Sequence, residues 1–129
     1  MRTDRRAAAI GVLVATRDLD GLGRHLTEDV RLRALLPGGP VEHHGRDEAL
    51  KRFDEWFGDR ESVALEEADG ELVGDRLLVH YRLRFEPSPD QAQDQGPARV
   101  LTQTWVASID EAGLIFRVDL VCSGFREVV

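Results

Sequence analysis

The segment from Asp110 to Phe125 reads as a tight turn, Glu111-Ala112-Gly113, feeding one long strand with two chemically different faces. Side chains alternate along a strand. Phe116, Val118, Leu120 and Cys122 therefore form an apolar row, and Ile115, Arg117, Asp119 and Val121 form a mixed row on the other side. Such a strand belongs in a sheet with one covered face and one wet face. The same period of two runs through Ser62–Val73, Arg76–Glu86 and Ala98–Ile109, with Gly74-Asp75 as a further turn. Four such strands in succession predict an antiparallel meander.

The first half has a helical period instead. Apolar spacing predicts a helix over about Asp4 to Arg17 and a second from Asp18 or Asp20 to about Leu26, with Asp18 placed to cap it. Arg2, Arg5 and Arg6 ahead of Ala7–Ala15 have the outline of a secretory leader. Asp4 within the basic stretch, Gly11 within the apolar run, and the continuation through Leu19, Leu22 and Leu26 favour a first helix. Val30–Leu36 alternates as a strand that Pro37-Gly38-Gly39-Pro40 ends. After Val41-Glu42-His43-His44-Gly45, the stretch Arg46–Phe57 places Ala49, Leu50, Phe53, Trp56 and Phe57 on one helical face, and Gly58 supplies a stop. Pro87–Pro97 has no apolar residue larger than alanine and is expected to form a flexible loop. Helices first and sheet afterwards make the fold class α+β.

At 129 residues, 42% of them hydrophobic, the chain is expected to form one domain over residues 1–129 with a core of its own. A net charge of −7 argues against a nucleic-acid partner, which needs a cationic footprint. No run approaches the roughly 20 apolar residues of a membrane span, so no membrane partner is expected. The lone Cys122 excludes an intrachain disulfide and fits a reducing, cytoplasmic location.

Three stretches in this order resemble the nuclear transport factor 2-like superfamily, in particular its SnoaL-like branch: Asp18-Leu19-Asp20-Gly21-Leu22 with Leu26-Thr27-Glu28-Asp29-Val30; His44-Gly45-Arg46-Asp47-Glu48-Ala49-Leu50 with Phe53; and the terminal Gly113-Leu114-Ile115 strand. The resemblance covers nearly the whole chain. It implies a cone-shaped, curved antiparallel sheet wrapped around three N-terminal helices, with an internal cavity and a dimer through the outer sheet face. The superfamily includes ketosteroid isomerases, scytalone dehydratase, limonene epoxide hydrolase, polyketide cyclases and members that only bind or associate, so fold alone does not decide the chemistry. Laid over this chain, the isomerase base falls near Leu36, its phenol near Ile10 and its protonated acid on Trp105. The cyclase aspartate falls on Leu120, while Asp119 points to the opposite face.

Polarity assigns the inward faces independently. Leu77, Val79 and Tyr81 form the apolar row of one strand, and Leu101, Gln103 and Trp105 that of the next. With Phe116, Val118, Leu120 and Cys122 they are the expected lining of a ligand pocket. Its polar handles are Tyr81, Gln103, the Trp105 indole and the Cys122 thiol. Each handle has a plainer reading: Tyr81 and Trp105 as core aromatics, Cys122 as a small buried hydrophobe, and Gln103 as a partner for Tyr81 or for a ligand. His44, or its neighbour His43, is the candidate general base, with Tyr81 as its partner; the plainer reading is a loop residue. Adjacent residues in an extended segment diverge, and no HExxH or CxxC motif occurs, so neither metal nor cofactor is expected. His80, Arg82, Arg84, Arg117 and Asp119 should gather on the outer face, as a homodimer interface or a solvated surface.

Three functions follow: a pocket protein for a small, mostly hydrophobic neutral molecule; a metal-free acid–base enzyme of the cyclase, isomerase or hydrolase type; or a dimerising interaction module whose pocket Trp105 and Phe116 fill.

Overall fold

The computed structural model describes residues 4–57, 63–86 and 97–128. Among them are three helices, α1 (Arg5–Ala15), α2 (Leu19–Gly23) and α3 (Arg46–Phe57). The strands are β1 (Leu26–Leu36), β2 (Gly39–His44), β3 (Val63–Val73), β4 (Arg76–Phe85), β5 (Arg99–Ile109), β6 (Ile115–Cys122) and the short β7 (Arg126–Glu127). The α+β class read from the periods is the observed one. The expected stop at Gly58 and all of the expected loop except Pro97 lie outside the described residues.

Local chemistry starts the helices. The Asp4 carboxylate accepts from the backbone N–H groups of Arg6 and Ala7 at 2.9 and 3.2 Å, and Asp18 does the same for Gly21 at 2.9 Å. Each cap satisfies amides that the first turn leaves without partners.

The sheet runs β2-β1-β6-β5-β4-β3, with β7 on β5. It is mixed rather than wholly antiparallel, because β1 pairs in parallel with β6, Leu32 opposite Val118 and Arg33 opposite Asp119. A period of two reports which way side chains face but carries no strand direction, and so the antiparallel expectation is corrected at this one seam. β2 is also an addition to the sequence reading. The Pro37-Gly38 turn folds the chain back on β1, and Pro40 is tolerated in a strand because β2 is an edge.

Helix α1 lies across β3 and β4 on very small residues. A Cβ on Gly70 would meet the Leu78 carbonyl oxygen at 2.0 Å and the Ala7 Cβ at 2.5 Å, and one on Gly11 would meet the Ala68 Cβ at 2.6 Å. Helix α3 covers β1 and buries Ala49, Phe53 and Phe57. Beneath the helices, the rows Leu77–Phe85 of β4, Leu101–Ala107 of β5 and Val118–Leu120 of β6 are buried at alternate positions. Each large side chain there contributes on the order of 1.5–3 kcal/mol.

The expected apolar row of β6 breaks at its start. Ile109 pairs with Ile115 while Ser108 pairs with Arg117, so Phe116 is an extra residue in a bulge. The bulge shifts the alternation by one residue. Ile115 is fully buried, and Phe116 is 42% exposed on the outer side, not part of an inner wall. No helix among the described residues is long and apolar enough to cross a membrane.

Candidate functional site

Register brings the polar handles of the inner face together. On β4 and β5, Tyr81 stands opposite Gln103 and Val79 opposite Trp105, while Cys122 of β6 stands opposite Gln103 from the other side. The Trp105 Nε1–H donates to the Tyr81 hydroxyl at 2.9 Å, and the Tyr81 hydroxyl donates to Gln103 Oε1. Tyr81 and Trp105 are fully buried and Gln103 is 1% exposed. The direction of this chain is forced. An indole N–H can only donate, so the phenol oxygen accepts from it and the single phenol proton must go to an acceptor, the amide carbonyl. The Gln103 NH₂ is then left buried with no hydrogen-bond partner. Such a group costs roughly 1–3 kcal/mol.

Burial raises the Tyr81 phenol well above its ordinary value of 10.0; the Trp105 hydrogen bond opposes this and the Cys122 thiol adds to it. Tyr81 is therefore held as a neutral phenol whose one proton is given to Gln103 Oε1. Cys122 is half-buried, and its Sγ accepts from the Gly124 backbone N–H at 3.4 Å. Of the ten residues expected to line the inner face, eight are buried; Cys122 is partly so and Phe116 faces outward. Trp105 packs against Phe53 of α3, ring centroids 5.4 Å apart, which the strand rows alone did not reveal.

The structure separates His44 from Tyr81. His44 is exposed on the outer side of β2, 3.3 Å from a Glu42 carboxylate that also pairs with Arg31. It sits on the sheet edge, four strands from β4. His43, opposite the fully buried Leu32, turns to the inner side, and its Nε2 is buried without a partner. The signal was present in the sequence: in an extended segment His43 shares a face with Val41, whereas His44 shares one with Glu42.

The outer face carries the expected charges. Asp119 lies between Arg33 Nε at 2.6 Å and Arg117 Nε at 3.3 Å, and the hydrogen bond from Arg33 is the main cause holding its carboxyl below the ordinary 3.8. Arg82 and Arg84 share Glu66 at 2.9 and 3.9 Å. Beside the Arg33–Asp119 pair a groove of about 590 Å³ is lined by Leu35, Pro40, Thr104, Val106 and Val121 among others. Among the described residues no three His, Cys, Asp or Glu side chains converge to hold a metal ion.

The family model described as a SnoaL-like domain matches residues 7–118. No curated protein matches the sequence at a significant level. Among solved structures, the fold is similar to that of a putative polyketide cyclase from Xanthomonas campestris pv. campestris, with 21% identity, a TM-score of 0.63, and coverage of 91% of this chain and 90% of that one. It is also similar to AusH from Aspergillus nidulans, with 12% identity, a TM-score of 0.66, and coverage of 95% and 88%. A steroid delta-isomerase from Pseudomonas aeruginosa aligns with 19% identity, a TM-score of 0.57, and coverage of 95% and 82%.

Proposed function

The chain belongs to the SnoaL-like domain family, and from that membership we propose that it is a pocket protein whose inner sheet face binds a small, mostly hydrophobic, neutral molecule. One observation carries the reading: the inward rows of β4, β5 and β6 hold no carboxylate and no cation, only apolar side chains around the Trp105–Tyr81–Gln103 chain. A charged ligand there would be desolvated without a counter-charge, which is costly. A neutral one with an apolar body keeps the wall dry and leaves orientation to the few polar groups, as small-molecule sites do. The neutral dye Nile red tests this by equilibrium dialysis. Saturable one-to-one binding, lost in Cys122→Trp at the half-buried side, is expected; absence of saturable binding overturns the pocket.

Turnover is a second reading, favoured by His43, the inward histidine with an unpartnered ring nitrogen. An imidazole can both accept and donate a proton, so acid–base chemistry on a molecule held at the inner face would run through His43 rather than His44. The outer face supports a homodimer. Leu35, Val106 and Val121 are exposed there beside the Arg33–Asp119 pair, a mixture that a second copy of the same face can complement. Light scattering at micromolar concentration should give twice the 14.4 kDa chain mass, and a monomer mass overturns it.

A further inference from the structure

We propose that the Gln103 carboxamide anchors an aprotic acceptor, the carbonyl of a ketone, ester or lactone, on the molecule held at the inner face; the proposal rests on the pocket reading above. Hydrogen-bond counting singles out this group. The Trp105 N–H is spent on Tyr81 and the Tyr81 proton on Gln103 Oε1, so neither can donate to a ligand. The Gln103 NH₂ is the one member of the chain with protons to give, and it is buried with nothing to receive them. All three groups donate in the same sense, each polarising the next, which strengthens the terminal N–H as a donor.

The same arrangement sets the order of preference among ligands. A hydrocarbon leaves the amide unpaired. An alcohol can accept from it, but its own proton then needs an acceptor, and the side chain opposite Gln103 on β6 offers only the weak Sγ of Cys122. A carbonyl oxygen accepts with two lone pairs and adds no donor, so it satisfies the site without creating a new debt. Approach is from the side of Cys122, which is only half-buried, because Phe53 covers Trp105 from α3.

The probes are 1-indanone, 1-indanol and indane, which share one apolar body. Wild type should bind 1-indanone roughly tenfold more tightly than indane, the usual size of one hydrogen bond to a buried donor, with 1-indanol between them. In Gln103→Met, which keeps the length and removes the amide, the ketone preference should fall to about twofold or less. ¹⁵N–¹H correlation spectra of wild-type protein give a second readout that needs no variant to fold: 1-indanone should move the Gln103 side-chain NH₂ pair downfield, and indane should not. Equal binding of ketone and hydrocarbon, or ketone binding with an unmoved Gln103 amide, overturns the anchor and leaves the pocket standing. Binding of none of the three compounds overturns both.

Discussion

Tyr81 is the chain's one tyrosine and is fully buried, which makes alkaline titration a direct test of the inner polar chain. Its folded-state pKa is raised above the unfolded value, chiefly by desolvation. Its contribution to stability is therefore complete below the ordinary value of 10.0 and is lost as pH rises above it, because only the unfolded chain ionises there. Each pH unit above 10.0 over which the folded phenol keeps its proton removes at most about 1.4 kcal/mol, a sizeable share of a typical 5–15 kcal/mol. Lys51 is the only lysine, and arginine stays protonated throughout, so few other side chains titrate in this window. Tyrosinate absorbance near 295 nm and far-ultraviolet circular dichroism should change together, in one transition. Tyr81→Phe removes the slope, although it starts from lower stability, since it strands the Trp105 N–H and Gln103 Oε1 at roughly 1–3 kcal/mol each. Tyrosinate forming near pH 10 with the dichroism intact would show that the phenol is not buried as described.

Gly70→Ala should destabilise by about 1–3 kcal/mol or more in urea unfolding, because its Cβ has no space against the Leu78 carbonyl. Phe116→Ser should stay within about 0.5 kcal/mol of wild type, whereas Trp105→Ala should lose about 3–5 kcal/mol; equal losses would restore Phe116 to the inner wall. Asp119→Asn should cost only about 0.2–1 kcal/mol, since the pair is half-exposed. The folded-state pKa of Asp119 is depressed, so its small contribution is present above 3.8 and fades as pH falls below that value, readable as a shallower acid limb in the variant's stability curve. If the protein turns over a substrate, His43→Ala should lower the rate by roughly 10²–10⁴-fold and His44→Ala should not.

The period of two was enough to place Leu77, Val79, Tyr81, Leu101, Gln103, Trp105, Val118 and Leu120 on one covered face, because alternation along a strand is a local property. The same rule failed at Phe116, where the Ser108–Arg117 bulge inserts a residue that no composition signal announces. At His44 the rule was only half enough: alternation after Pro40 separates His43, on the face of Val41, from His44, on that of Glu42, but which face is covered became legible only with His43 opposite Leu32. The parallel β1–β6 seam was illegible because it joins residues such as Arg33 and Asp119, 86 positions apart. What links Tyr81 to Gln103 could be named as one option from sequence, yet the proton direction needed the geometry of Trp105 as well.

The position of β6 between β1 and β5 also has a consequence for how the chain reaches this state. Of the six long strands it is the last along the chain, yet it is the one that joins the β1–β2 hairpin to the β5-β4-β3 half of the sheet. During synthesis both halves can collapse while their facing edges still wait for a neighbour, and exposed edges of that kind recruit other chains. Long-range closure of this sort is slow. A ribosome stalled before Ile115 should therefore display two unjoined, protease-sensitive and chaperone-bound halves, and the inner face should become protected only once β6 has emerged.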